Sequence, residues 1–195
     1  ILVRSGETNS LEEAVHILDE LQVSGSLTPS RASYEVVFKG FSREHGRIED
    51  ANRILKRMVS PGKPELLPSV EMYLEMMKLW STSGAPNAVE RVEWCFQQIV
   101  REIGATSKAY AALQSAWGAS RRPDAPQQAE SILLQMQHDF ESGRNPLARP
   151  TVDNFAEVIR AWVSSGQNGS AERAHSILAR LEDLSMHDSH SDLKP

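Results

Sequence analysis

Tyr34-Glu35-Val36-Val37-Phe38-Lys39-Gly40-Phe41 opens a stretch that runs through Gly46-Arg47-Ile48-Glu49-Asp50-Ala51 to Ile54-Leu55-Lys56-Arg57-Met58. Its aromatics, Tyr34 and Phe41, stand seven residues apart, which is two turns of an α-helix. Val37 lies between them on the same face, so the three make one apolar stripe. Ala51, Ile54, Leu55 and Met58 follow the i, i+3, i+4, i+7 rule of a second amphipathic helix. His45-Gly46 stands between the stripes and stops the first helix. The stretch therefore predicts a helix-turn-helix whose two apolar faces need covering.

The pattern recurs along the chain. Tyr73 pairs with Trp80, Tyr110 with Trp117 and Phe155 with Trp162, with Met76, Leu113 and Val158 three residues after the first aromatic. Second stripes follow at Val92-Cys95-Phe96-Ile99, Ala129-Ile132-Leu133-Met136 and Ala174-Ile177-Leu178-Leu181. Ala14-Ile17-Leu18-Leu21 gives one more, preceded only by Ile1 to Arg4 as the end of an earlier helix. Turn-making residues separate the helices of each unit: Ser83-Gly84-Ala85-Pro86, Arg122-Pro123-Asp124, and Ser165-Gly166 through Gly169. Ser30, Ser69, Thr106 and Thr151 precede the aromatic helices and are placed to cap them. The first aromatics are spaced by 39, 37 and 45 residues, and the excess falls in connections such as Glu141 to Arg149.

The predicted fold class is all-α, an α-solenoid of helix-turn-helix repeats forming one domain. The boundaries are 1–28 for the end of a truncated repeat with its second helix at about 10–24, then repeats at 29–67, 68–104 and 105–149. The last repeat, with the start of a further connection, covers 150–195. The chain has 195 residues, 40% of them hydrophobic and 24% charged, a composition that supports a packed core. One cysteine, Cys95, excludes an internal disulfide framework and fits a reducing compartment. No apolar run approaches the roughly 20 residues that a membrane helix needs. The net charge of −5 counts against tight nonspecific binding of nucleic acid and leaves room for local basic stripes.

Two positions separate the repeat families that share such aromatic pairs. Phe38, Met77, Gln114 and Ile159 stand four residues after the first aromatic, and Met58, Ile99, Met136 and Leu181 end the second stripe. All eight are too large for the small-residue crossings of tetratricopeptide repeats. The chain instead resembles the pentatricopeptide-repeat family, in its divergent repeats, over nearly its whole length. The resemblance implies a right-handed superhelix. It also implies single-stranded RNA binding in RNA processing, stability or translation, in mitochondria or plastids, without catalysis. By that resemblance the base-reading pairs would be Glu35 with Ser69, Leu74 with Thr106, and Ala111 with Thr151, with Ala156 alone. Leu74, Ala111 and Ala156 cannot hydrogen-bond a base edge, and Glu35 would repel phosphate.

Cations recur on the first helices at Lys39, Lys78 and Arg160, joined by Arg43 and Lys108, and could track a phosphate backbone. The same residues also read as a solvated face, because Glu71, Glu75, Asp153 and Glu157 share those helices. The alternative function is a scaffold whose groove takes a peptide or helix of a protein partner. Phe41, Trp80, Trp117 and Trp162 read as packing residues rather than base-stacking platforms. Cys95 occupies a core register, and His16 and His175 an outer one. His187-Asp188-Ser189-His190-Ser191-Asp192 is the only ligand-like cluster, and it lies in a polar connection. Asn168-Gly169-Ser170 reads as a turn. No catalytic set, metal, cofactor, membrane or small-molecule substrate is expected.

Overall fold

A computed structural model describes residues 8–24, 29–41, 47–59 and 64–187. Among them are nine α-helices and no strand: α1 Thr8–Ser24, α2 Arg31–Phe41, α3 Ile48–Met58, α4 Val70–Thr82, α5 Ala88–Ile103, α6 Ser107–Ala119, α7 Ala125–Glu141, α8 Val152–Ser165 and α9 Ser170–His187. The even-numbered helices carry the aromatic pairs, and the odd-numbered ones carry the second stripes. The chain divides into two compact units, Ile1–Leu79 and Trp80–Pro195, the division falling within α4.

In the first unit, Tyr34, Val37, Phe38 and Phe41 of α2 are buried together with Ala51, Ile54, Leu55 and Met58 of α3. Phe38 and Phe41 meet edge to face with ring centroids 6.2 Å apart. Each large side chain so buried contributes about 1.5–3 kcal/mol. Leu11 and Leu18 of α1 join the buried set, whereas Ile17 is 39% exposed. The spacing places Ile17 in the stripe, but in α1, which packs against α2, the buried side carries Leu11 and Leu18 and Ile17 lies outside it. Arg57 bonds Asp19, and Arg47 donates to Asp50 at 2.6 Å and to Glu12 at 3.4 Å. The Arg47–Glu12 and Arg57–Asp19 pairs tie the start and end of α3 to α1.

The second unit is built mainly from α5 to α9. Here α8 packs against α6, α7 and α9, and α5 packs against α6. Ala129, Leu133, Phe155, Val158, Ala161, Trp162, Ala174, Ile177 and Leu181 form one core cluster. A Cβ placed on Gly118 of α6 would stand 3.4 Å from the Ala161 Cβ, so α6 and α8 approach closely at that point. Thr106 caps α6 by accepting from the Ala109 amide at 3.2 Å. Gly166 ends α8 at φ 63°, a left-handed conformation that a side chain would strain. The excess residues of the longest repeat fold into a short 3-10 turn, Pro146–Ala148. The Asn145 side chain pins it by donating to the Ala105 carbonyl at 2.8 Å.

Most of the stripe residues are buried as their spacing requires. Trp117 and Ile132 are only half-buried, and Leu178 is 41% exposed. Leu178 is the counterpart of Leu133, which α8 covers; among the described residues no helix follows α9 to do the same.

Candidate nucleic-acid interface

Helix register puts the candidate reading positions on one kind of place. Glu35, Leu74, Ala111 and Ala156 are all half-buried, each directly after a buried aromatic. In the first unit Glu35 lies 3.8 Å from Arg31, an intrahelical pair, and Lys39 is exposed in the last turn of α2. Ser69 precedes α4, and its carbonyl receives the Tyr73 amide at 3.2 Å. Lys78 is exposed, with its Nζ 3.9 Å from Glu75. Arg43 lies outside the described residues, as do positions 188–192 of the histidine cluster.

In the second unit Thr106 and Thr151 are half-buried at the starts of α6 and α8. Thr106 uses its hydroxyl as a cap acceptor, and Thr151 donates its hydroxyl to Asn154 Oδ1 at 2.8 Å. Both hydroxyls thus already serve the helix ends. Lys108 is exposed. Arg160 is exposed with its guanidinium 2.6 Å from Glu157, so much of its charge is answered on its own helix.

Three polar arrangements went unread in the sequence. The first is a buried chain: Asn154 donates to the Ser107 carbonyl at 3.0 Å and to Gln114 Oε1 at 3.1 Å, and Gln114 donates to the Ala129 carbonyl at 3.4 Å. Asn154 also accepts from the Thr151 amide at 3.0 Å. Its signal was the capping spacing of Thr151 and Asn154, three residues apart. The second is Glu130, 5% exposed, which accepts from the Trp162 indole at 3.0 Å and from Arg173 Nε at 2.9 Å. That hydrogen bond and charge raise the Arg173 guanidinium above its ordinary pKa. The third is an arginine over the aromatic that closes a first helix. Arg47 stands 5.8 Å from the Phe41 ring centre, Arg91 5.7 Å from Trp80 and Arg122 5.4 Å from Trp117. Arg122 also donates to Glu90 at 2.5 Å, which lowers the Glu90 pKa and raises its own.

The shifted acids resemble packing groups rather than reagents. Burial pushes the Cys95 thiol up to about 12, only partly offset by Arg91. Burial, then the charge and hydrogen bond of Asp139, pushes Tyr110 up to about 12. A thiol nucleophile needs the opposite shift and access to solvent. Surface grooves accompany the second helices, among them one of about 430 Å³ between α7 and α9, one of about 490 Å³ along α5 and one of about 570 Å³ beside α5 at the 3-10 turn. Among the described residues no group of three or more His, Cys, Asp or Glu could hold a metal ion, and no helix is long and apolar enough to cross a membrane. No protein-family model matches the chain, and no curated protein matches it.

Proposed function

We propose that the helix pairs are pentatricopeptide-type repeats stacked as an α-solenoid, and that the first helices bind single-stranded RNA. The observation carrying this reading is the shared register of Glu35, Leu74, Ala111 and Ala156. Each is half-buried, one per helix pair, with Ser69, Thr106 or Thr151 at the start of the next first helix. Three of these four residues are apolar, so recognition rests on the backbone and on shape rather than on base edges. The segment is a binding element and not a catalyst. Its setting by resemblance is RNA processing, stability or translation in mitochondria or plastids.

A second reading, a scaffold for a peptide or helix of a protein partner, is favoured by the net charge of −5 and by the pairing of Arg160 with Glu157. Titration with fluorescent single-stranded RNA of mixed and homopolymeric sequence, at several salt concentrations, separates the two. RNA binding predicts measurable affinity at low salt that falls as salt rises, with little preference among sequences. No binding at low salt removes the RNA reading for this segment and leaves the scaffold.

A further inference from the structure

Each second helix has two equivalent positions seven residues apart, and in the second unit those of α5 and α7 lie on helices that pack against the first helix of the next pair. In α1 they are Leu11 and Leu18, in α5 Val89 and Phe96, in α7 Pro126 and Leu133, and all six are buried. In α3 the pair is Ile48, half-buried, and Leu55, buried. The covering is visible in the second unit. Phe96 of α5 meets the Tyr110 ring of α6 with centroids 5.2 Å apart, and Leu133 of α7 shares a core cluster with Phe155 and Val158 of α8. In α9 the same register falls on Ala171 and Leu178, and both are exposed. The opposite side of α9 is firmly anchored, since Ile177 and Leu181 are buried in the same cluster. The exposed face is therefore held ready rather than left loose.

We infer that the Ala171–Leu178 face of α9 is a docking surface for one further helix pair of this repeat class, whose first helix presents an aromatic, an apolar residue and an aromatic at i, i+3 and i+7. The inference rests on the repeat reading of the fold and is independent of RNA binding. Its argument is continuity: the seam that runs from Phe96 on Tyr110 to Leu133 on Phe155 arrives next at Leu178. One position on that face also states what the partner must avoid. Glu130 of α7 accepts from the indole of Trp162 and pairs with Arg173. Its counterpart in α9 is His175, which is exposed. An imidazole nitrogen can accept an indole N–H but cannot neutralise an arginine. The docking pair thus keeps the closing aromatic and carries an uncharged or acidic residue where this chain has Arg173.

The test appends residues 151–187 directly after Pro195 of the full chain, with Arg173→Gln in the appended copy only. Thermal unfolding is followed by circular dichroism, and hydrogen exchange is followed over residues 174–182. Docking predicts a midpoint raised by about 2–8 °C, for a gain of about 1–2 kcal/mol in a chain of this size, and slower exchange over that stretch. Leu178→Glu abolishes both gains in the extended chain and shifts the unextended chain by less than about 1 °C, as exposed sites do. Retaining arginine in the appended copy gives the smaller rise. Unchanged exchange over 174–182 overturns the inference, as does an equal effect of Leu178→Glu in both chains. A midpoint of the unextended chain that climbs with protein concentration, and ceases to climb with Leu178→Glu, also overturns it by assigning the face to a second copy.

Discussion

Asn154 has no exposed surface, and its side chain holds four partners: the Thr151 amide and hydroxyl, the Ser107 carbonyl and the Gln114 amide oxygen. Replacing it with leucine leaves buried donors and acceptors without partners, each costing about 1–3 kcal/mol. Asn154→Leu should therefore lower stability by about 3 kcal/mol in urea unfolding. The double variant with Gln114→Leu should lose less than the sum of the two single variants, because the two side chains share a bond. Cys95 gives a pH-dependent counterpart. Its thiol sits near 9.0 in an exposed chain and near 12 in the fold. Between those values the unfolded chain has released the proton that the folded chain keeps, so stability falls as pH rises through that window and is unaffected below it. Tyr110 adds to the same alkaline loss from about 10 to 12. Unfolding midpoints measured from neutral pH upward should fall less steeply for Cys95→Val than for the parent chain. The native thiol should also resist a disulfide-exchange reagent at mildly alkaline pH until denaturant is added.

At the scale of helices, periodicity told which faces exist but not what covers them. The stripes of α2, α3 and α5 were legible because i, i+3, i+4, i+7 spacing forces those side chains onto one face. Leu178 and Ile17 obey the same spacing and are exposed, because exposure depends on a neighbouring helix that lies elsewhere in the chain. The capping residues Thr106 and Thr151 were legible from their place before an aromatic helix. Gln114 and Glu130 were not, since a polar residue within a stripe has no sequence sign of its partner 15 to 43 residues away. Glu130 joins three helices through Trp162 of α8 and Arg173 of α9. Its carboxylate is 6% exposed, while Arg173 is 51% exposed and can turn to water. The bond most missed on truncation is then the one to the indole. Glu130→Gln, which keeps an acceptor for Trp162, should cost less than Glu130→Ala, with the latter near 2 kcal/mol. A double-mutant cycle between Glu130 and Arg173 should give a coupling of about 1 kcal/mol, because solvent screens the exposed end of the pair. A much larger coupling, with glutamine as harmful as alanine, would mean that charge rather than the hydrogen bond to Trp162 holds the three helices together.

For the molecule as a whole, the RNA binding proposed above would have to work against a net charge of −5. Affinity then depends on how many cations stand clear of carboxylates along the first helices. Lys78 has Glu75 within 3.9 Å, and Arg160 has Glu157 within 2.6 Å, so each brings less than a full charge to a phosphate. Lys39 and Lys108 are exposed and should carry most of the effect. Each phosphate neutralised on a single strand contributes about −0.7 to the slope of log affinity against log salt. Two full contributors give a slope of about −1.4, and all four give about −2.8. The measured slope should lie between these limits, which is shallow for a nucleic-acid binder. Lys39→Gln with Lys108→Gln should flatten it by about 1.4, whereas Glu75→Gln with Glu157→Gln should steepen it by removing a competing carboxylate beside Lys78 and beside Arg160. The steepening is the more telling result. A helix face used for RNA becomes better at its task when the competing carboxylates are neutralised, and a face that merely meets solvent shows no RNA binding to steepen.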